Sequence, residues 1–118
     1  MIPISSPYIE NKAKKYVLKC LNTNWISSQG EYILKFEKSL AKYHGTKYCV
    51  ATSSCTSAIH LAIKSLGIGK GDEIICPDLT FIAPANMIVL AGAKLKLVDI
   101  NPETFAIDHH KIEKNINK

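Results

Sequence analysis

Residues 52–57 read TSSCTS and stand directly before an apolar helical pattern, AIHLAIKSL. Four of the five residues from Ser53 to Ser57 carry a hydroxyl, and the fifth, Cys55, is small. Preceding them is KYCVATS (47–53), a β-branched and aromatic run that suits a strand. A tight turn at the carboxyl end of a strand, opening a helix, exposes unpaired backbone N–H groups and the positive end of the helix dipole, so it suits an anion. Hydroxyl side chains add donors there and small ones let a phosphate approach, so Ser54, Cys55, Thr56 and Ser57 could form a phosphate cradle. The same residue types are also the commonest helix caps, and on residue chemistry alone both roles stay open. There is no G-x-G-x-x-G and no G-x-x-x-x-G-K-[ST], which removes the dinucleotide fingerprint and the nucleoside-triphosphate loop.

Cys55 raises a third possibility, since a thiol at a helix N-terminus can act as a nucleophile. The nearest histidine, His60, would leave the helix on a different side, and no arginine follows to grip a phosphate. A small thiol packed at the turn is the simpler expectation.

The elements that would position these residues follow from periodicity. Ala13, Tyr16, Val17, Cys20 and Leu21 share one helical face, which predicts a helix over 9–22. NTNWISSQG is polar and turn-rich and should be a loop ending at Gly30. Ile33, Phe36, Leu40 and Tyr43 mark a second helix, closed at Gly45. Then come the strand 47–53, a helix to Gly67, the strand EIICP (73–77), a helix within FIAPANMIVLAGA ending at Gly92, the strand KLKLVDI (94–100), and a last helix capped by Asp108. Two leading helices followed by β-α-β-α-β-α predict an α/β fold with a parallel sheet. A division into an arm, helix and loop (1–30) and a helix with a three-stranded α/β portion (31–118) is expected.

Composition narrows the function classes. The 118 residues are 47% hydrophobic and carry a formal charge of +5, all of the basic side chains being lysines. Lysines spread over helix faces are a poor instrument for reading bases, which favours arginine, so no nucleic-acid partner is expected. The four cysteines form no C-x-x-C and no metal-spaced cluster, no basic-then-apolar leader opens the chain, and the apolar stretch 81–93 is broken by Pro84, Asn86 and Gly92. A cytoplasmic protein without membrane or metal site is expected.

From Trp25 to Ile107 the chain resembles the sugar aminotransferases of the DegT/DnrJ/EryC1/StrS family, through WISSQG, FEKSLAKYHGTKYCVATSSCTSAIHLAI, LGIGKGDEIICPDLTFIAPANMIVLAGAKLKLVDI and NPETFAID. WISSQG looks most like the GDP-perosamine synthase branch, which aminates a nucleotide-linked 4-keto-6-deoxy sugar. The resemblance implies the aspartate-aminotransferase fold, of which this chain would form the N-terminal part of the large domain with an incomplete sheet. It implies pyridoxal 5'-phosphate as cofactor, a nucleotide-linked keto sugar as acceptor, glutamate as amino donor, and a homodimer for the full-length protein. Thr56 and Ser57 would hold the cofactor phosphate through hydroxyl and backbone N–H, with Cys55 crowding a turn where many members have glycine or alanine. Phe81 would lie over the cofactor ring, the alternative being an ordinary core aromatic. Trp25, Ser27 and Ser28 would lie near the substrate end, or merely form a loop tied down by one tryptophan. Pro84 replaces a common threonine but falls in a first helical turn, where proline is tolerated.

Two pieces of the chemistry have no match in the chain. The family's Schiff-base lysine and the aspartate that keeps the pyridine nitrogen protonated are expected downstream of Lys118, and Asp99 matches a different position. No catalytic residue is therefore expected among these 118. In that fold the first strand is separated from the second and third by strands that come later, so a fragment that is poorly folded and inactive alone is expected. Two other possibilities stand beside it: a family member that uses the cofactor for dehydration, with histidine in place of the lysine, and a stand-alone α/β module that binds a phosphorylated ligand without catalysis.

Overall fold

The computed structural model of the chain describes residues 2–3 and 5–117. Its elements are helices α1 (Asn11–Asn22), α2 (Glu31–His44) and α3 (Cys55–Ser65), strand β1 (Glu73–Pro77), helix α4 (Ile82–Leu90), strand β2 (Lys94–Val98) and helix α5 (His109–Asn115). They fall into two compact units, Met1–Ala51 and Thr52–Lys118.

The first unit holds α1 and α2. No residue of α1 is buried, so its apolar face finds little cover within the unit. Side chains join the two helices at one corner: Lys19 Nζ lies 2.8 Å from Glu31 Oε1, and the Tyr16 and Tyr32 rings are 4.8 Å apart. Lys35 reaches the other Glu31 oxygen at 3.1 Å, an i, i+4 pair. α2 ends where the sequence places its end. Gly45 takes a left-handed conformation (φ 66°), which a side chain would disfavour, and its N–H donates to the Lys42 carbonyl.

One expected element is corrected. KYCVATS (47–53) is not a strand, because no described strand pairs with it and its backbone groups turn to side chains instead. The N–H of Ala51 donates to Glu37 Oε1 at 2.8 Å. The α/β portion therefore has two strands, not three. Strand propensity needs a partner to become a ladder, and the strands β1 and β2 lie beside each other without this segment.

In the second unit β1 and β2 pair in parallel, Glu73 opposite Lys94 through Pro77 opposite Val98. The ladder is extended at one end by Lys94 N–H to the Asp72 carbonyl and at the other by Asp78 N–H to the Val98 carbonyl. α4 is the crossover between the strands, as parallel pairing requires. The core forms where α4 packs on the two strands and α3 packs on α4: Ile63, Cys76, Ile88, Ala91 and Ala93 are buried, with Ile59, Ile68, Ile74, Met87 and Leu95 packed against them. α4 is apolar on nearly every side, which suits a helix buried all round, yet Ile82, Val89 and Leu90 are exposed. Asp108 caps α5 as expected, its Oδ1 accepting from the His110 N–H at 3.0 Å.

Candidate functional site

The first turn of α3 brings Cys55, Thr56 and Ser57 together as its first three residues. Ser54 precedes them in extended backbone and is the cap: its Oγ accepts from the Ser57 N–H at 3.2 Å. Ser57 Oγ also lies 3.1 Å from Ser54 Oγ and 3.3 Å from Ser53 Oγ, while Thr52 Oγ1 donates to the Ser54 carbonyl at 2.9 Å. The first helical bond runs from Ala58 N–H to the Ser54 carbonyl. Among the described residues nothing accepts from the N–H groups of Cys55 and Thr56. The turn thus offers two unused backbone donors, the half-buried Thr56 beside them and a cluster of hydroxyls. Ser54, read from sequence as part of the cradle, spends its hydroxyl on the cap; a serine at the entry to an apolar helical run is the signal for that role.

Connectivity sets the direction of α3. A short connection leads from its C-terminus to the amino end of β1, and Gly69 in that connection approaches the Ala91 carbonyl at the C-terminus of α4. The carboxyl-terminal halves of both helices pack together through Ile63, Ile88 and Ala91. Both helix N-termini therefore face the carboxyl edge of the sheet, where open α/β sheets place ligands. Phe81 lies on this edge, between β1 and α4. Its ring is 76% exposed among the described residues. Pro84, third in α4, lacks an N–H that the first turn would leave unpaired in any case.

Asp99 stands just past β2 at the same edge and is engaged by Lys111, whose Nζ lies 2.6 Å from Oδ2. The hydrogen bond and charge of Lys111 hold the Asp99 carboxyl below its ordinary range, and Asp99 in turn raises Lys111. This pair ties α5 to the sheet. At the other end of the unit, Glu73 is held below the usual carboxylate range, chiefly by its contact with Lys94 at 2.6 Å. Cys55 is exposed, whereas Cys76 is buried and its thiol is pushed up by that burial.

The remaining expected site residues lie in the first unit. Trp25 and Ser27 line an open cavity of about 500 Å³ together with Lys19, Gly30 and Glu31; Ser28 sits in the adjoining turn and is not part of the lining. Ser27 Oγ accepts from the Gln29 N–H at 3.3 Å. Gly30 is needed here for space: a Cβ on it would come within 2.9 Å of Trp25 Cδ1. Among the described residues no cluster of histidine, cysteine or acidic side chains is placed to hold a metal, and no helix is long and apolar enough to cross a membrane.

Comparison with known proteins connects these features. The model of the DegT/DnrJ/EryC1/StrS aminotransferase family matches residues 7–118. A GDP-perosamine synthase of Caulobacter vibrioides is 46% identical over 112 residues, covering 95% of this chain and 30% of the relative. Among solved structures, a candidate sugar aminotransferase of Streptococcus pneumoniae matches 98% of this chain and 29% of its own, at a TM-score of 0.88 and 34% identity. An Escherichia coli GDP-4-keto-6-deoxy-D-mannose-3-dehydratase with bound hydrated PLP matches 98% of this chain and 31% of its own, at 0.87 and 29%. The chain thus spans about 30% of the length of the curated relative it matches.

Proposed function

We propose, because this chain belongs to the DegT/DnrJ/EryC1/StrS aminotransferase family, that it supplies the phosphate-and-ring side of a pyridoxal 5'-phosphate site in an enzyme that aminates a nucleotide-linked keto-deoxy sugar. The observation that carries this is the family match running through the first turn of α3, where two backbone donors stand unused at the carboxyl edge of a parallel sheet. The donor set fits a phosphate: N–H groups, hydroxyls and the positive end of a helix, with no carboxylate in the turn.

When bound, the cofactor supplies an electron sink for bond changes at the amino-bearing carbon. The residues of this chain bind and orient. Thr56, with its N–H and hydroxyl, is assigned to the phosphate, and Cys55 and Ser57 flank it. Phe81, a flat and exposed ring beside the first turn of α4, is assigned to a cofactor face, where it would fix the tilt of the pyridine and exclude water from it. Trp25, Ser27 and Ser28 are assigned to the substrate end, supported by the concave lining that Trp25 and Ser27 share. The family's reactive lysine and the aspartate facing the pyridine nitrogen are assigned outside these 118 residues, Asp99 being occupied by Lys111. Glutamate as donor and a homodimeric enzyme belong to the same proposal.

The test uses the complete protein with pyridoxal phosphate, glutamate and GDP-4-keto-6-deoxymannose, with the product identified by mass. A 4-amino sugar is expected. The structural likeness to a dehydratase favours a second reading, in which the same mixture yields a 3-deoxy sugar instead. A sugar recovered unchanged would overturn both.

A further inference from the structure

We propose that the surface formed by α1, α2 and the loop between them takes the nucleoside diphosphate part of the substrate, with the base against Phe36 and Tyr16, the two phosphates at Lys35 and Lys19 beside Tyr32, and the sugar toward Trp25 and Ser27. This rests on the reading that the acceptor is a nucleotide-linked sugar. Charge is the first observation. Eight of the fifteen lysines but only three of the ten acidic residues fall in the first unit, which therefore carries the whole formal charge of +5, while in the second seven lysines meet seven carboxylates. Seven of the nine aromatic residues lie in the first unit as well. Basic and aromatic side chains on one surface suit a ligand that joins phosphates to a flat ring.

The second observation is how these side chains are grouped. A hollow of about 580 Å³ is lined by Tyr16, Tyr32, Lys35, Phe36 and Ser39, and Tyr32 also lines the cavity that holds Lys19, Trp25 and Ser27. The ammonium groups of Lys35 and Lys19 stand 5.0 and 5.6 Å from the centre of the Tyr32 ring. The Tyr16 ring is 4.8 Å from it, and Phe36 is 53% exposed. Aromatic faces in one hollow, two cations around the shared ring and a concave loop in the other match the order of base, diphosphate and sugar in such a ligand. Glu31 meets both ammonium groups, Lys19 of α1 at 2.8 Å and Lys35 of α2 at 3.1 Å. Each of these contacts engages one of the three N–H donors of an ammonium, so each lysine keeps two for phosphate oxygens. One carboxylate between two lysines thus holds them together without cancelling their charge.

The test uses the complete protein, with GDP binding followed by calorimetry and pyridoxal phosphate binding followed by absorbance. Phe36→Leu keeps apolar bulk and removes the ring. It is expected to weaken GDP binding by about tenfold, the size of one lost base stack, and Phe36→Tyr is expected to restore it. Lys35→Gln is expected to weaken GDP binding by about threefold and to lessen its dependence on salt. Affinity for pyridoxal phosphate should stay at the parent's value in all three variants. Either Phe36→Leu or Lys35→Gln binding GDP as tightly as the parent overturns the inference and leaves the nucleotide-sugar reading standing. Loss of pyridoxal phosphate affinity in step with GDP places these side chains in the fold and also overturns it. A parent protein that binds no GDP overturns the inference and the nucleotide-sugar reading together. Should Phe36→Leu fail to fold, Lys35→Gln, a change at an exposed side chain, decides alone.

Discussion

Phe81 and Gly30 show how differently two side-chain positions can be constrained. Phe81 presents its ring to solvent, and its removal should cost little folding stability because it buries little. If it covers the cofactor ring, Phe81→Ala will weaken pyridoxal phosphate binding by roughly tenfold, in keeping with the ~1.5 kcal/mol upper range of aromatic contacts, while leaving affinity for inorganic phosphate unchanged. A fluorescence titration with both ligands checks this, and a parallel loss of both would place Phe81 in the fold rather than the site. Gly30 is constrained from the other side, by what would fill it. Gly30→Ala sets a methyl against Trp25 and should cost about 1–3 kcal/mol by overpacking unless the indole moves. Trp25 is the sole tryptophan, so a shift in its emission maximum reports that movement directly.

Helix ends and strand ends carry the next set of constraints. Gly45 closes α2 at φ 66°, so Gly45→Ala is expected to destabilise that end by about 1 kcal/mol, seen as faster amide exchange over its last turn. The attachment of α5 includes one exposed ion pair, Lys111 with Asp99. Asp99 has its folded-state pKa depressed by Lys111, so its contribution is present above the unfolded value and is lost as pH falls through the lower folded one. Glu73, likewise depressed, follows the same sign. Acidification below the ordinary carboxylate range should therefore loosen α5 before the core cluster opens. Amide exchange along α5 measured against pH checks the order, and Asp99→Asn should show the loosened behaviour at neutral pH. Most of these boundaries were legible in the sequence. Gly45 and Asp108 stand where the chain stops and starts its helices, and EIICP and KLKLV became strands because each had the other as a partner. KYCVATS carried the same local preference and had no partner, a fact that no property of those seven residues could reveal.

The molecule as a whole is apolar where it is open. No described side chain of any size is fully buried, and Phe81, Ile82, Val89, Leu90 and Leu97 all face solvent in the second unit. A two-stranded sheet with one helix-covered core has two free edges, and its chain matches relatives about three times longer. The 118-residue chain in isolation is expected to bind a hydrophobic dye in its native buffer and to melt without a sharp cooperative transition. A sharp calorimetric transition with no dye binding would show that this core suffices alone.

The amino-acid sequence by itself determined the residue types at the first turn of α3, the order of the five helices and of strands β1 and β2, and the family, because caps, turns and periodicity are encoded by neighbours a few residues apart. What it left open were the roles within that chemistry. The exposure of the Phe81 ring is not written in its neighbours, and Asp99 could have been free until Lys111, twelve residues away, was found against it. Each of these was decided by tertiary structure for one physical reason: a donor, a ring or a charge is defined by what already occupies it.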